Sequence, residues 1–284
     1  MAHRRHRIAI LSAVQRDSAP GKPVSETLRK NRKLYRRVTP IIKHLERYFH
    51  PQVDGLDRIP DGPALLVGNH NGGVMAPDMF IFLRHFAEHT NFQDVPVPLA
   101  HDALFRVPGV KQFLESAGAQ PASREHAIDA LCAGRKVLVY PGGDWETHRP
   151  SSERDKIDFG GRNGFIKIAL RANVPIVPVV SAGAHDGWFV ITRGDQIAHK
   201  LKLDKLFRIK VFPIALGAPF GLVLGPASIH VPLPSDIRIQ VLEPVCLDGS
   251  VDDAYNVEEH YRHITDAMQG VLTRLARELR GKPN

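Results

Sequence analysis

The sequence is poor in several things, and each shortage closes a class of answers. Only two cysteines occur, Cys132 and Cys246, too few for a disulfide framework. Cys132 lies in an apolar stretch, so buried free thiols in a reducing compartment are expected. There is no apolar run long enough for a membrane-spanning helix. No Gly-x-Ser-x-Gly elbow is present, which removes the usual serine-nucleophile hydrolase signature. His3, His6, His260 and His263 have no convergent partners at ligand spacing, so no metal is implied. Acidic residues are scarce in the first 50 positions: 13 Lys/Arg stand against 3 Asp/Glu, a net of +10. The other 234 residues carry 25 and 27, so the basicity belongs to the N-terminal segment. Charge is missing altogether from Val211 to Ser235, which hold five prolines and many large apolar side chains.

What is present divides into three parts. Residues 1–23 end in Ser18-Ala19-Pro20-Gly21-Lys22-Pro23 and read as a flexible leader. Arg4-Arg5-His6-Arg7 before Ile8–Val14 has the outline of a targeting signal, but the apolar part is short and Gln15-Arg16-Asp17 ends it. Residues 24–52 form a basic amphipathic arm, expected to be helical from Ser25 and kinked or divided at Pro40. Leu34, Val38, Ile41, Ile42 and Leu45 line one side, and Arg29, Lys33, Arg36, Arg37 and Lys43 the other. Such a helix fits an anionic membrane surface, or docks on the protein's own body. Residues 53–284 alternate strand and helix patterns. Strands are expected at 64–68, 97–100, 118–121, 136–140, 174–180, 208–212 and 237–242. Helices are expected at 78–90, 102–116, 124–133, 162–172 and 252–280. This alternation predicts an α/β domain with a mostly parallel central sheet flanked by helices. Residues 211–235 read either as an irregular connection over the sheet or as an exposed loop for membrane or acyl-chain contact.

The chemistry concentrates at the ends of the predicted strands. Asn69-His70-Asn71-Gly72-Gly73 follows the apolar run Pro63–Val67, and Asp78 comes eight residues after His70. A histidine there can be neutral and accept a proton from a substrate. Paired glycines let a bulky ligand approach the backbone. A second segment is Gly118–Arg124, with Ser123 as helix cap and Arg124 as a phosphate-matching cation. A third is Val137-Leu138-Val139-Tyr140-Pro141-Gly142-Gly143-Asp144-Trp145-Glu146, and a fourth Val174-Pro175-Ile176-Val177-Pro178-Val179.

Together these four segments, spread over about residues 53–245, resemble the four blocks of the glycerolipid acyltransferase superfamily. The third block, with Pro-Gly-Gly followed by a glutamate, is similar to the monoacylglycerol/diacylglycerol acyltransferase-like branch, as is Gly164–Leu170. Two positions depart from the superfamily pattern. Met75 stands where an aspartate is usual, leaving Asp78 as the nearest acid, and Gly142 stands where relatives carry a glutamate. The resemblance implies acyl transfer from acyl-CoA or an acyl carrier protein to a lipid hydroxyl, with no resident cofactor. It implies His70 as general base, Asp78 as its orienting carboxylate, and Asn69, Gly72, Gly73, Arg124, Gly142, Gly143 and Glu146 around the substrates. Lys167 and His148 are weaker candidates. The implied partners are an acyl thioester, a lipid acceptor and an anionic membrane surface, at the cytoplasmic face, with no nucleic acid. The competing reading is a catalytically silent relative that binds lipid.

Overall fold

The computed structural model describes residues 26–203, 210–225 and 230–281; the leader expected at 1–23 lies outside them. Helix α1 (Glu26–Phe49) leads into β1 (Gln52–Asp54) and β2 (Leu65–Gly68). Then come α2 (Pro77–His89), β3 (Val97–Ala100), α3 (Val110–Ser116), β4 (Gln120–Pro121), α4 (Arg124–Cys132) and β5 (Val137–Val139). They are followed by α5 (Gly143–Thr147), α6 (Gly164–Ala172), β6 (Ile176–Ala182), β7 (Phe189–Thr192) and α7 (Asp195–Lys200). The chain ends with β8 (Ile214–Gly217), β9 (Gly221–Leu224), β10 (Arg238–Val241) and α8 (Ala254–Arg280).

Seven strands form the central sheet in the order β1-β10-β6-β2-β5-β3-β4. Every neighbouring pair is parallel except β10 with β6. The fold is therefore α/β with a mostly parallel sheet, as the alternating pattern predicts. Strand alternation sorts the core into two layers. Leu65, Val67, Val137, Ile176 and Val180 face α4, α6 and α8, where Leu131, Phe165, Ile166, Met268 and Leu272 are buried. Leu66, Leu138, Val177, Ile239 and Val241 face the opposite layer with Tyr35, Phe49, Ile81 and Phe82. Central strands covered on both faces explain their unbroken apolar runs.

The segment 211–235 differs from both expectations. Its centre is neither irregular nor a loop: β8 and β9 form a hairpin that β7 extends into a three-stranded antiparallel sheet. The strand expected at 208–212 begins instead at Ile214, and residues 208–209 lie outside the described ones. The helix expected at 102–116 is a 3₁₀ turn, Asp102–Arg106, followed by α3, because Pro108-Gly109 interrupts it. Both cysteines are exposed, which corrects the expected burial of Cys132: the last turn of α4 presents it to solvent.

Helix α1 runs through Pro40 as one element. Pro40 lies on its exposed side, where the carbonyl left without a donor meets water. The helix docks on the body through Tyr35, Glu46 and Phe49. Arg84 of α2 donates from Nε and Nη2 to the two Glu46 oxygens at 2.5 and 2.6 Å. Lys33, Arg36, Arg37, Lys43 and Arg47 face solvent. Glu46→Ala would leave the Arg84 guanidinium buried without its bidentate partner. Urea denaturation of the variant should show a loss of roughly 3–5 kcal/mol. A loss below about 1 kcal/mol, the range of surface pairs, would show that α1 is only loosely held.

Candidate active site

Strands β6, β2 and β5 are adjacent and parallel, so their carboxyl ends share one edge of the sheet. Ligands of open α/β sheets gather at that edge. The loop after β2 is tied to the end of β6 by two asparagines. Asn69 Nδ2 donates to the Ser181 carbonyl at 2.9 Å, and its Oδ1 accepts the Ser181 N–H at 2.8 Å. Asn71 Nδ2 donates to the same carbonyl at 2.9 Å, and its Oδ1 accepts the His185 N–H. Asn69 is fully buried, so both its polar atoms brace the loop. Gly72 has φ +94°, and a Cβ there would lie 2.7 Å from Pro77 Cδ, at the start of α2. A Cβ on Gly73 would lie 2.8 Å from the Trp188 ring. The double glycine thus lets the loop turn tightly between α2 and Trp188.

The turn after β5 completes the arrangement. Glu146 Oε2 accepts the His70 N–H at 2.8 Å. Its other oxygen lies 3.0 Å from Arg149 Nη1, and both side chains have no exposed surface. Glu146 folds back over Gly142, where a Cβ would approach the Glu146 Cβ to 2.3 Å. Glycine at that position is therefore a requirement of the turn. Arg162 fixes the turn from outside, donating to the Gly142 carbonyl at 2.6 Å and to Asp144 Oδ1 at 2.7 Å. The Gly143 N–H is bonded to the Tyr140 carbonyl at 3.1 Å. The Tyr140 ring lies 4.8 Å from the His70 ring, centroid to centroid.

His70 is half-buried, and its Nδ1 faces the interior with no hydrogen-bond partner. Burial, and then the charges of Arg149 and His148, lower its pKa to about 3, so the ring is neutral at pH 7. Asp78 is buried at the head of α2, and its Oδ1 is without a partner. Burial pushes its carboxyl up to about 7, against the Ser181 hydroxyl, the backbone N–H groups of Asp78 and Met79 and, least, the charge of Arg149. Glu146 is raised to about 7 by the same cause, also opposed by Arg149. Among the described residues no hydrogen bond joins the His70 ring to Asp78.

Arg124 opens α4 at the carboxyl end of β4, behind a Ser123 cap whose hydroxyl accepts the His126 N–H at 3.0 Å. It is exposed and reaches the head of α6, where a Cβ on Gly164 would lie 3.7 Å from its Nε. Two helix N-termini and a guanidinium thus meet at one place. Lys167 is half-buried on α6. His148, the other weaker candidate, is buried beside Trp188, with its pKa lowered to about 4 by burial. Arg149 and Arg162 were not legible as site residues. Arg149 had a signal, its place three residues after Glu146, since i and i+3 side chains meet on a helical turn.

The Glu146–Arg149 pair invites a direct test. Arg149→Met would leave a buried carboxylate without its cation, and thermal or urea denaturation should show roughly 3–5 kcal/mol lost. Adding Glu146→Gln should recover part of it. Additive losses would mean that the two residues are not coupled.

Residues 50–182 match the Acyltransferase family. The chain is 30% identical over 244 residues to an uncharacterized protein of Mycobacterium tuberculosis, covering 84% of this chain and 65% of that one. It is 31% identical over 226 residues to the human DGAT1/2-independent enzyme synthesizing storage lipids, covering 78% of this chain and 65% of the relative. The chain thus spans about 65% of the length of these curated relatives. Among solved structures, the 1-acyl-sn-glycerophosphate acyltransferase PlsC of Thermotoga maritima superposes with a TM-score of 0.53 at 18% identity. That match covers 87% of this chain and 79% of the other, and it shows a shared fold. The segment that matches the Acyltransferase family, a little under half of the chain, contains His70, Asp78, Arg124 and Glu146 on one sheet edge, and over a longer stretch the chain is similar in sequence to the storage-lipid-synthesizing relative and in fold to the glycerophosphate acyltransferase.

Proposed function

We propose that the protein transfers a fatty acyl group from acyl-CoA or an acyl carrier protein to a hydroxyl of a glycerolipid or lysophospholipid. The observation that carries this reading is the setting of His70. It stands at the carboxyl end of a central strand, in the matched family segment, with its N–H held by Glu146. Its Nδ1 faces inward, so Nε2 is the nitrogen offered to a substrate. The acceptor oxygen attacks the thioester carbonyl while Nε2 takes its proton. The carbonyl electrons move onto oxygen, and the C–S bond breaks as they return. The departing thiolate takes the proton from the imidazolium. No covalent acyl-enzyme is needed.

Each remaining residue has a part. Gly72 and Gly73 act through the tight turn that carries the His70 loop past Pro77 and Trp188, rather than by leaving room for a ligand at their own α-carbons. Asp78 supplies negative charge when the imidazolium forms. Asn69, Gly142, Gly143 and Glu146 act through the loops they hold. Arg124 takes the phosphate of the acceptor or of the donor, helped by the positive ends of α4 and α6. The protein works peripherally at an anionic membrane surface, on the cytoplasmic face, in glycerolipid and phospholipid synthesis. One observation supports the anionic surface: α1 turns five basic side chains to solvent. No helix among the described residues is long and apolar enough to cross a membrane.

Incubation with labelled acyl-CoA and a panel of lysophospholipid, glycerol phosphate and diacylglycerol acceptors, read by mass spectrometry, tests the activity. Lipid binding without transfer to any acceptor would favour the silent relative. His70→Ala should cut transfer at least ~100-fold while leaving the circular dichroism spectrum unchanged. Arg124→Ala should raise KM for a phosphate-bearing substrate before it lowers kcat. The pH profile separates the two titrating groups. A carboxyl at about 7 takes up its proton as pH falls through neutrality, so kcat/KM should decline below pH 7 if Asp78 must be ionised. Glu146 titrates at about 7 as well, so the limb is read in Asp78→Asn beside Glu146→Gln: the variant that removes the governing carboxyl should stay active down towards the His70 value of about 3. An acid limb unchanged in Asp78→Asn would deny Asp78 this part.

A further inference from the structure

We infer that the outer face of the β7–β8–β9 sheet docks on the lipid bilayer, with Phe220 and Leu222 entering its apolar layer. The inference extends the acyl-transfer reading, for which it supplies a route for lipid, but the docking itself stands on the surface.

An antiparallel sheet with one face in water alternates apolar-in and polar-out. Here the inner row, Val190, Ala215 and Val223, is buried as expected. The outer row is apolar too. Phe189 pairs with Leu216 and Leu216 with Leu222 across the strands, and they are 55%, 46% and 57% exposed. Phe220, at the hairpin turn, is 70% exposed. From Val211 to Ser235 no residue carries a formal charge. Water gives such a face nothing, whereas a bilayer rewards every apolar side chain that enters it.

Charge complementarity identifies the occupant. The stretch from Arg193 to Lys210, which joins β7 to β8, holds six Lys/Arg against two Asp. Its two ends meet at the base of the sheet, where the Phe212 N–H donates to the Arg193 carbonyl at 3.0 Å. Lys200, Lys202 and Lys210 are exposed. An apolar face with a basic flank matches the two layers of an anionic membrane, acyl chains below and phosphates above. A second copy of the chain would cover the apolar face but leave the basic flank unanswered.

The face is also continuous with the candidate site. Trp188 precedes β7 and stacks on His230 with ring centroids 4.3 Å apart. Gly73, in the His70 loop, lies against this pair: a Cβ there would be 2.8 Å from Trp188 and 2.9 Å from His230. A cavity of about 560 Å³ opens between Trp188, Phe189, Leu216, Pro219 and Leu233. A lipid leaving the bilayer through this face arrives beside the catalytic loop.

The test uses the full chain and vesicle sedimentation, without substrates. Vesicles of phosphatidylcholine alone, and of phosphatidylcholine with phosphatidylglycerol, are compared at low salt and at about 0.5 M, where charge attraction reaches only a few ångströms. The protein should bind both lipids, more tightly with phosphatidylglycerol at low salt, and a fraction of the binding should persist at high salt. Phe220→Asp with Leu222→Asp should weaken the high-salt binding at least about 10-fold, with the circular dichroism spectrum unchanged. Should that variant fold poorly, Phe220→Trp keeps the face apolar, and brominated lipid should quench the added indole. Undiminished binding by a folded double-aspartate variant overturns the proposal, as does a Phe220→Trp variant quenched no more than the parent protein. So does a lipid-free dimer, seen by sedimentation velocity, that the double substitution dissolves. Because no step reads acyl transfer, loss of docking in the variant would stand even if no acceptor were found, and active protein with unaltered docking would overturn this inference alone.

Discussion

The Glu146 carboxylate is the contact on which the rest of the site depends. One oxygen holds the backbone N–H of His70, and the other faces the Arg149 guanidinium. That side chain links the ends of β2 and β5, which are joined besides by their ladder and by the Tyr140 ring packed against Gly68 and His70. A hydrogen bond to a charged group contributes about 1.5–3 kcal/mol, yet burying both ions offsets much of this. Position, rather than stability, is what the pair secures. It also explains the glycine at position 142 of the third block. With glutamate folded back from position 146, the place next to it must be glycine, because a Cβ would fall on the Glu146 side chain.

The electrostatics of the resting site work against a charged His70. Burial and Arg149 together hold it neutral, with a pKa of about 3. A base that weak in the free protein would be a poor catalyst if nothing changed on binding. The same surroundings hold two carboxyls, Asp78 and Glu146, both near neutrality in their titration. A positive imidazolium in the transition state would draw both towards ionisation, and that attraction is absent while the ring is neutral. Interactions that arise only in the transition state are the ones that accelerate chemistry. The Nδ1 of His70 and the Oδ1 of Asp78 are each buried without a hydrogen-bond partner.

Much of this architecture was legible in the sequence because the central strands are covered on both faces. Their unbroken apolar runs located β2, β3, β5 and β6 within two residues, and the cap at Ser123 placed the start of α4. The short strands escaped for the opposite reason. β7, β8 and β9 are apolar on both faces and cover only a small core of Trp188, Val190 and Ala215, so the prolines and glycines around β8 and β9 read as loop rather than hairpin punctuation. The site divided similarly. His70, Asp78 and Glu146 stood at strand ends in recognisable blocks. Asn69 was legible as a site residue, but its bracing of Ser181 depends on β6 lying beside β2, a pairing between segments 112 residues apart. Arg149 was hidden because a buried arginine has no signature of its own; only its glutamate partner gives it meaning.

The N-terminal helix shows why two sequence readings need not compete. Docking on the body and facing a membrane were alternatives when α1 had one apolar and one basic side. In the structure it has a docked face, with Tyr35, Glu46 and Phe49 buried, and a basic face turned outward. Glu46 is the residue that makes this possible, since its pairing with Arg84 fixes the rotation of the helix about its axis. A helix held in one rotation presents its cations as a fixed surface. Attraction to anionic lipid through such a surface carries little ordering entropy for the backbone, which is already folded. Screening by salt limits that attraction, whereas the apolar face of the β7–β8–β9 sheet is insensitive to it. Long-range attraction from α1 and short-range insertion by the hairpin would then be successive stages of one approach to the membrane.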